Sequence, residues 1–238
     1  MKGIKADILA FGAHADDIEI GMGGTAAKYA AAGQTIVFCD LTKAELSSNG
    51  TVASRTEEAQ KAADLLGVQE RVTLDLPDRG LFLTQESIRS VAEIIRLYQP
   101  KVIFAPYEKD RHPDHGACSR IVQEAFFSAG IRKYETNGKD NAHKADRLYF
   151  YMINGFHSPD FCVDTSDFMH TKKQSLQAYR SQFEMGADSV VTPLTSGYIE
   201  AVEARDRMMG KEVGQTFAEG FLTTVPLLIE HDLIGDKE

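Results

Sequence analysis

Short apolar runs alternate with helical stripes through the first half of the chain, the order expected of a parallel sheet covered by helices. Ile8-Leu9-Ala10-Phe11 reads as a buried strand, Gly21 to Gly33 as an alanine-rich helix closed by glycine, and Ile36-Val37-Phe38-Cys39 as a second strand. Between Arg55 and Leu66, the residues Ala59, Ala62, Ala63 and Leu66 share one helical face, and Gly67 stands where a left-handed cap is needed. Val72–Leu76 reads as a third strand. Thr84 is placed to cap a helix whose inward stripe is Ile88, Val91, Ala92 and Ile95, and Pro100 stops it. Val102-Ile103-Phe104 is the fourth strand, and Pro113 fits only the first turn of the next helix, whose stripe includes Ala117, Ile121, Val122 and Ala125. Four βα units are thus expected by Gly130.

The segment from Tyr134 to Arg147 is polar, charged and without period, so it reads as a surface insertion, not a domain boundary. Beyond it, Leu148–Met152 and Phe161–Val163 read as strands, Thr171–Phe183 and Ile199–Met209 as helices, and Val225–Ile229 as a last strand. Glu184–Gly197 carries glycine, serine, threonine and Pro193 without periodicity, and reads as a mobile loop. The expected fold class is α/β: one domain over residues 1–238, with a Rossmann-like, mostly parallel sheet and helices on both faces.

Composition narrows the functions open to such a fold. At 238 residues and 43 % hydrophobic, the chain can bury a core large enough to need neither disulfides nor metal as a staple, so any metal serves chemistry. A net charge of −9 argues against gripping nucleic acid or an anionic membrane. Cys39, Cys118 and Cys162 form no CxxC pair and cannot all pair within the chain, which suits a reducing compartment, the cytoplasm. No basic segment leads into a long apolar one at the N-terminus, and no run of about 18 apolar residues occurs, so neither export nor membrane spanning is expected.

In open α/β sheets ligands gather at the carboxyl ends of strands. Ala13-His14-Ala15-Asp16-Asp17 follows the first strand and Asp110-Arg111-His112-Pro113-Asp114-His115 the fourth. Histidine and aspartate supply the nitrogen and oxygen donors of a catalytic zinc site, which typically takes three protein ligands and leaves a position for water. Taken alone, the first cluster is a turn whose aspartates cap a helix, and the His112-x-x-His115 pair is a common surface spacing. Their coincidence at matching strand ends favours a metal.

AHADD near the N-terminus and HPDH about 100 residues later, on an α/β frame, resemble the zinc-dependent N-acetylglucosaminyl deacetylases of the PIG-L/LmbE-like family. The resemblance extends over Ser47-Ser48-Asn49-Gly50-Thr51 with Arg55 and Glu58, Pro77-Asp78-Arg79-Gly80, Ser181-Gln182 and Phe217-Ala218-Glu219-Gly220-Phe221. Within the family it is nearest the bacillithiol-pathway branch that acts on N-acetylglucosaminyl-malate. Ala15 stands where the family usually has proline, a change that removes no ligand. The resemblance implies Zn²⁺ held by His14, Asp17 and His115, with Asp16 as the base, and an assembly larger than a monomer, up to a hexamer.

The residue chemistry agrees with that division. Zinc lowers the pKa of its water to about 7, and a neighbouring carboxylate such as Asp16 can take the proton as hydroxide attacks an acetyl carbonyl. His112, one turn before His115, is placed to stabilise the oxyanion, and Asp114 to hold its imidazole charged, unless Asp114 serves only as a helix N-terminal carboxylate. Spacing leaves open whether Asp16 or His112 protonates the leaving amine. Arg55 and Arg111 are the candidate forks for a substrate carboxylate, against the plain alternative that Arg55 is an exposed helix residue paired with Glu58. Asp78 is a candidate acceptor from sugar hydroxyls or simply a turn residue, and Tyr198 closes over the site or is an ordinary half-buried tyrosine.

His143, His157, His170 and His231 lack spaced partners and read as surface or satisfied core residues. Cys118 reads as a buried thiol, not a fourth ligand. Gly21, Gly23 and Gly24 come too late after the strand for a dinucleotide fingerprint, which disfavours a nicotinamide enzyme. The expected partner is a small amino-sugar conjugate. Its rivals are a chitooligosaccharide or inositol-linked sugar as substrate, or a metal-dependent sugar-binding module without turnover; Fe²⁺, Co²⁺ or Mn²⁺ would also suit the donors.

Overall fold

The computed structural model describes residues 4–138 and 141–228. Seven strands, β1 (Ile8–Gly12), β2 (Ile36–Asp40), β3 (Glu70–Thr73), β4 (Val102–Pro106), β5 (Arg147–Tyr151), β6 (Phe161–Asp164) and β7 (Ala218–Thr223), form one sheet in the order β3-β2-β1-β4-β5-β7-β6. The first five are parallel, and β7 runs antiparallel between β5 and β6. The helices are α1 (Asp17–Ala31), α2 (Val52–Leu66), α3 (Gln85–Tyr98), α4 (Pro113–Ala129), α5 (Met169–Gln177), α6 (Arg180–Phe183) and α7 (Tyr198–Glu212).

Strand alternation divides the core between the two faces. Leu9, Phe11, Val37 and Cys39 pack with Ile88 and Val91 of α3 and Ile121 of α4. Ile8, Ala10, Ile36 and Phe38 pack with Ile18 and Ile20 of α1, Leu176 of α5 and Val202 of α7. The mostly parallel sheet with helices on both faces is therefore as expected. Among the described residues no helix is long and apolar enough to cross a membrane.

Four elements differ from the expectation, each for a tertiary reason. Helix α1 starts at Asp17, four residues before Gly21, because the Asp17 carboxylate accepts the N–H groups of Ala13 and His14 at 2.9 Å and fixes the turn that enters it. Strand β3 lies at Glu70–Thr73, earlier and more polar than Val72–Leu76, as a half-exposed edge permits. The helix expected over 171–183 is broken between Gln177 and Arg180. There the fully buried Tyr179 turns inward and its hydroxyl donates to Glu19 Oε1 at 2.9 Å.

The last strand is Ala218–Thr223; Val225 to Leu228 are not strand, and Ile229 and His231 lie outside the described residues. Buried Glu219 disguises this strand in the sequence. Its carboxylate accepts the N–H groups of Gly24 and Thr25 at 2.9 and 2.6 Å, just past Met22, where α1 departs from helical geometry with φ −147°. Lys172, itself fully buried, bridges Glu219 and Asp206 at 2.6 Å each. Gly21 and Gly24 are packing points: an added Cβ would lie 1.9 Å from the Tyr151 ring and 2.9 Å from Thr165 Cβ respectively.

Candidate metal centre

Strands β1 and β4 are parallel neighbours, with Ile8 opposite Val102, so the loops that follow them leave the same edge of the sheet side by side. Their side chains meet. Asp17 Oδ1 lies 3.1 Å from His115 Nε2 and Asp17 Oδ2 3.6 Å from His14 Nδ1, and among the described ion pairs it is the carboxylate common to both histidines. The His14 ring lies 5.6 Å from that of His115 and 4.9 Å from that of His112, and His112 stacks on His115 at 4.7 Å. Ligand atoms of His14, His112 and His115 fall within 4.8 Å of one another, as do those of His14, Asp78 and Asp114.

Four carboxylates, those of Asp17, Asp78, Asp110 and Asp114, lie within 3.6 Å of His14 or His115, and the guanidinium partner among them is Arg79 on Asp114, while the adjacent Asp16 pairs with Arg55. The surplus negative charge shows in the acidities. Burial works against charge on His14, but Asp114, Asp17 and Asp78 outweigh it and raise its pKa well above the usual histidine range. Burial likewise opposes charge on His115, and Asp17 and Asp110 carry its pKa up to about 9. Asp17 is pushed up by burial yet held well below the carboxylate range by His115 and His14. A nitrogen and oxygen donor set with more negative than positive charge suits a divalent cation.

Asp16 behaves differently from its neighbour. Its backbone is left-handed, φ 97°, and its carboxylate meets Arg55 Nη2 at 3.1 Å. Burial, only partly offset by Arg55, pushes its pKa up to about 7. Arg55 is not an exposed helix residue. It is 5 % exposed and also donates to Ala15 O and Ser47 Oγ. Its guanidinium is thus committed to the loop that carries Asp16 instead of standing free as a substrate fork, and Glu58 accepts from Ser181.

Asp114 also departs from expectation. Its carboxylate accepts from the Arg79 backbone N–H at 2.7 Å and guanidinium at 2.8 Å and lies 3.6 Å from His14 Nε2. Its link to His112 is through the backbone: its N–H donates to His112 Nδ1 at 3.3 Å, making His112 the cap of α4. Asp78 sits with Oδ1 3.2 Å from His14 Nε2, and its Oδ2 accepts the Leu46 N–H at 3.0 Å. The His14 contact is the main reason its pKa falls to about 2. It therefore braces the histidine before any sugar arrives.

A cleft of about 430 Å³ opens onto this cluster, lined by Leu46 and Ser47 on one side, Pro193 and Leu194 on another, and Arg111 and Tyr198. Arg111 is exposed and takes no part in any ion pair or side-chain hydrogen bond found among the described residues. The Tyr198 hydroxyl points inward and shares its one proton between Asn154 Oδ1 at 2.9 Å and Ile153 O at 3.1 Å. The loop expected to be mobile is tied at Val190, whose backbone exchanges hydrogen bonds of 2.8 and 2.9 Å with the Asn49 side chain. Cys118 is fully buried on the inner face of α4, His143 Nε2 meets Pro100 O at 2.7 Å, the His157 ring lies 5.1 Å from Tyr107, and His170 is exposed.

Two residues of the cluster escape the sequence reading. Asp110 lies with Oδ1 2.9 Å from His115 Nδ1, and Asn154 donates to Asp110 from its backbone and its side chain, both at 2.9 Å. Asp110 stands in a loop already marked by its histidines and signals itself by its charge. Asn154, after β5, carries no signal at all until the fold places it.

The PIG-L family model, described as GlcNAc-PI de-N-acetylase, matches residues 9–126. The diacetylchitobiose deacetylase of Thermococcus kodakarensis is 30 % identical over 240 residues, 94 % of this chain and 85 % of that protein. A Bacillus anthracis protein named "probable N-acetyl-alpha-D-glucosaminyl L-malate deacetylase 2" is 23 % identical over 82 % of this chain and 89 % of its own. The crystal structure of a conserved protein from Thermus thermophilus superposes with a TM-score of 0.86 at 37 % identity, over 94 % of this chain and 97 % of that one. With both loops of the cluster and the whole frame between them accounted for, the chain belongs to the PIG-L/LmbE family of deacetylases.

Proposed function

We propose that the protein is a zinc-dependent hydrolase that removes acetate from an N-acetylglucosamine conjugate with an anionic aglycone, N-acetylglucosaminyl-malate of the bacillithiol route being the foremost candidate. The observation that carries the hydrolase reading is Asp16, a buried carboxylate beside the ligand cluster that pairs with Arg55 and, among the described residues, with no imidazole. A binding module needs ligands but has no use for a spare base.

His14, Asp17 and His115 would hold the ion, since Asp17 is flanked by both histidines. A divalent ion there supplies Lewis acidity, polarising an amide carbonyl and acidifying a water. Asp16, with its pKa at about 7, takes the proton from the attacking water; a base poised near the working pH is the efficient one. His112 accepts a backbone N–H at Nδ1, which leaves its one transferable proton on Nε2, the atom that donates to the oxyanion. That proton is in use, so Asp16 returns the one it took to the departing amine. Water and amide are consumed, and acetate and amine are released.

Arg111 argues for the anionic aglycone: it is the cleft guanidinium without a partner among the described residues, whereas Arg55 and Arg79 are engaged by Asp16 and Asp114. A second reading, a neutral chitooligosaccharide, draws on the apolar Leu46, Pro193 and Leu194 walls and on the Thermococcus relative. Acetate release from the malate conjugate, the inositol conjugate and diacetylchitobiose, each with wild type and Arg111→Ala, separates them. The malate conjugate should give the highest kcat/KM, and Arg111→Ala should raise KM about tenfold or more for it alone. Equal effects on all three would remove the anionic reading while leaving the deacetylase one standing.

A further inference from the structure

Behind His115 runs a chain of contacts that reaches the cleft wall on the far side. His115 Nδ1 is 2.9 Å from Asp110 Oδ1. Asp110 is held by the Asn154 side-chain amide, the Asn154 backbone N–H and the His112 backbone N–H, at 2.9, 2.9 and 2.8 Å. The oxygen of the same amide receives the Tyr198 hydroxyl at 2.9 Å. Tyr198 is the first residue of α7, directly after Gly197, which has a φ of 74° and closes the loop tied at Val190.

The orientation of the Asn154 amide is the key to this chain. A carboxamide has a donor end and an acceptor end, and only one of its two orientations serves a carboxylate neighbour. Turned as found, the NH₂ faces the Asp110 carboxylate and the oxygen faces the Tyr198 hydroxyl. Reversed, it would set oxygen against carboxylate and lose the bond to Asp110. Asp110 therefore selects the orientation, and the Tyr198 hydroxyl, which meets Asn154 Oδ1 at 2.9 Å, braces the amide in it. Asp110, so held, keeps its carboxylate 2.9 Å from His115 Nδ1 as an ion-pair contact, which favours a proton on that nitrogen and leaves Nε2 to bind an ion. Partners behind a ligating histidine typically change metal affinity by about 10–100-fold.

We propose that Asn154 is a positioning residue for the metal site, and that its carboxamide couples Tyr198 on the cleft wall to the ligand geometry of His115. This rests on the reading of His115 as a ligand. It implies that Tyr198, beyond lining the cleft, sets the affinity of the site for its ion: a substrate that draws the hydroxyl away from Asn154 loosens the support of His115 while it is bound.

Competition of the metal-free protein with a chromophoric chelator for Zn²⁺, together with the visible spectrum of the Co²⁺-loaded form, tests this in wild type, Asn154→Ala, Tyr198→Phe, the double variant and His115→Ala. Asn154→Ala should weaken zinc binding about 10–100-fold and shift the cobalt bands. Tyr198→Phe keeps the ring and its packing and should weaken zinc about threefold to tenfold, a change that a mere wall residue would not cause. The double variant should bind no more weakly than Asn154→Ala, because both act through one carboxamide. Zinc affinity within twofold of wild type in both single variants, with thermal melts of the metal-free proteins confirming that they fold, overturns the proposal. If His115→Ala also binds zinc as wild type does, the ligand reading itself has failed.

Discussion

Asp16 and Asp17 are adjacent and both buried, yet their surroundings drive their acidities apart: histidines on two sides hold Asp17 ionised, whereas burial lifts Asp16 to about 7. Two carboxylates with separated acidities divide naturally into ligand and base. Asp16→Asn should therefore keep its metal by elemental analysis while acetate release falls by about 10²–10⁴; activity near wild type would refute the assignment. The protonation of His115 has its own consequence. With the folded pKa raised to about 9, the metal-free histidine holds a proton at neutral pH that an incoming ion must expel. Zinc affinity should thus rise with pH up to about 9, with proton release visible as a buffer-dependent heat in calorimetry; a flat affinity between pH 7 and 9 would count against it. By the same sign, the ion pairs of His115 stabilise the metal-free fold fully below about 6.5 and are lost as pH climbs through about 9. These residues announce themselves in the sequence because histidines and aspartates cluster beside apolar strands. Asn154 does not, since its meaning lies in what two other loops bring to it.

At the level of elements, strands with clean apolar runs and helices with clean stripes are legible, as in β1, β2, α3 and α4. Elements that swallow a charge are not. β7 is hidden by Glu219 and the break before α6 by Tyr179, because each buried polar group is satisfied by a partner far away in sequence. Glu219 in particular stitches α1, α5 and β7 together. Glu219→Ala should destabilise the fold by about 3–5 kcal/mol in urea denaturation, since it leaves the Lys172 ammonium with Asp206 alone and orphans the Gly24 and Thr25 amides. A loss below about 1 kcal/mol would show the cluster to be dispensable.

For the whole molecule, two apolar layers on a seven-stranded sheet give the fold a core of its own, so the ion that the proposed function calls for should not be needed to fold it. Chelation should leave the far-UV circular dichroism unchanged and lower Tm by only the few degrees that mass action accounts for, and Zn²⁺ should restore it. Unfolding on chelation would contradict this. The α/β class follows from sequence because a single frame explains every early run, whereas the meeting of two loops about 100 residues apart follows only from the strand order. That order sets a timetable. β1 and β4 pair across everything that lies between them, so no partly assembled chain offers the two halves of the ligand set at once. On the proposed function the ion should join a finished sheet instead of templating it, so protein made without metal should fold and take up the ion afterwards.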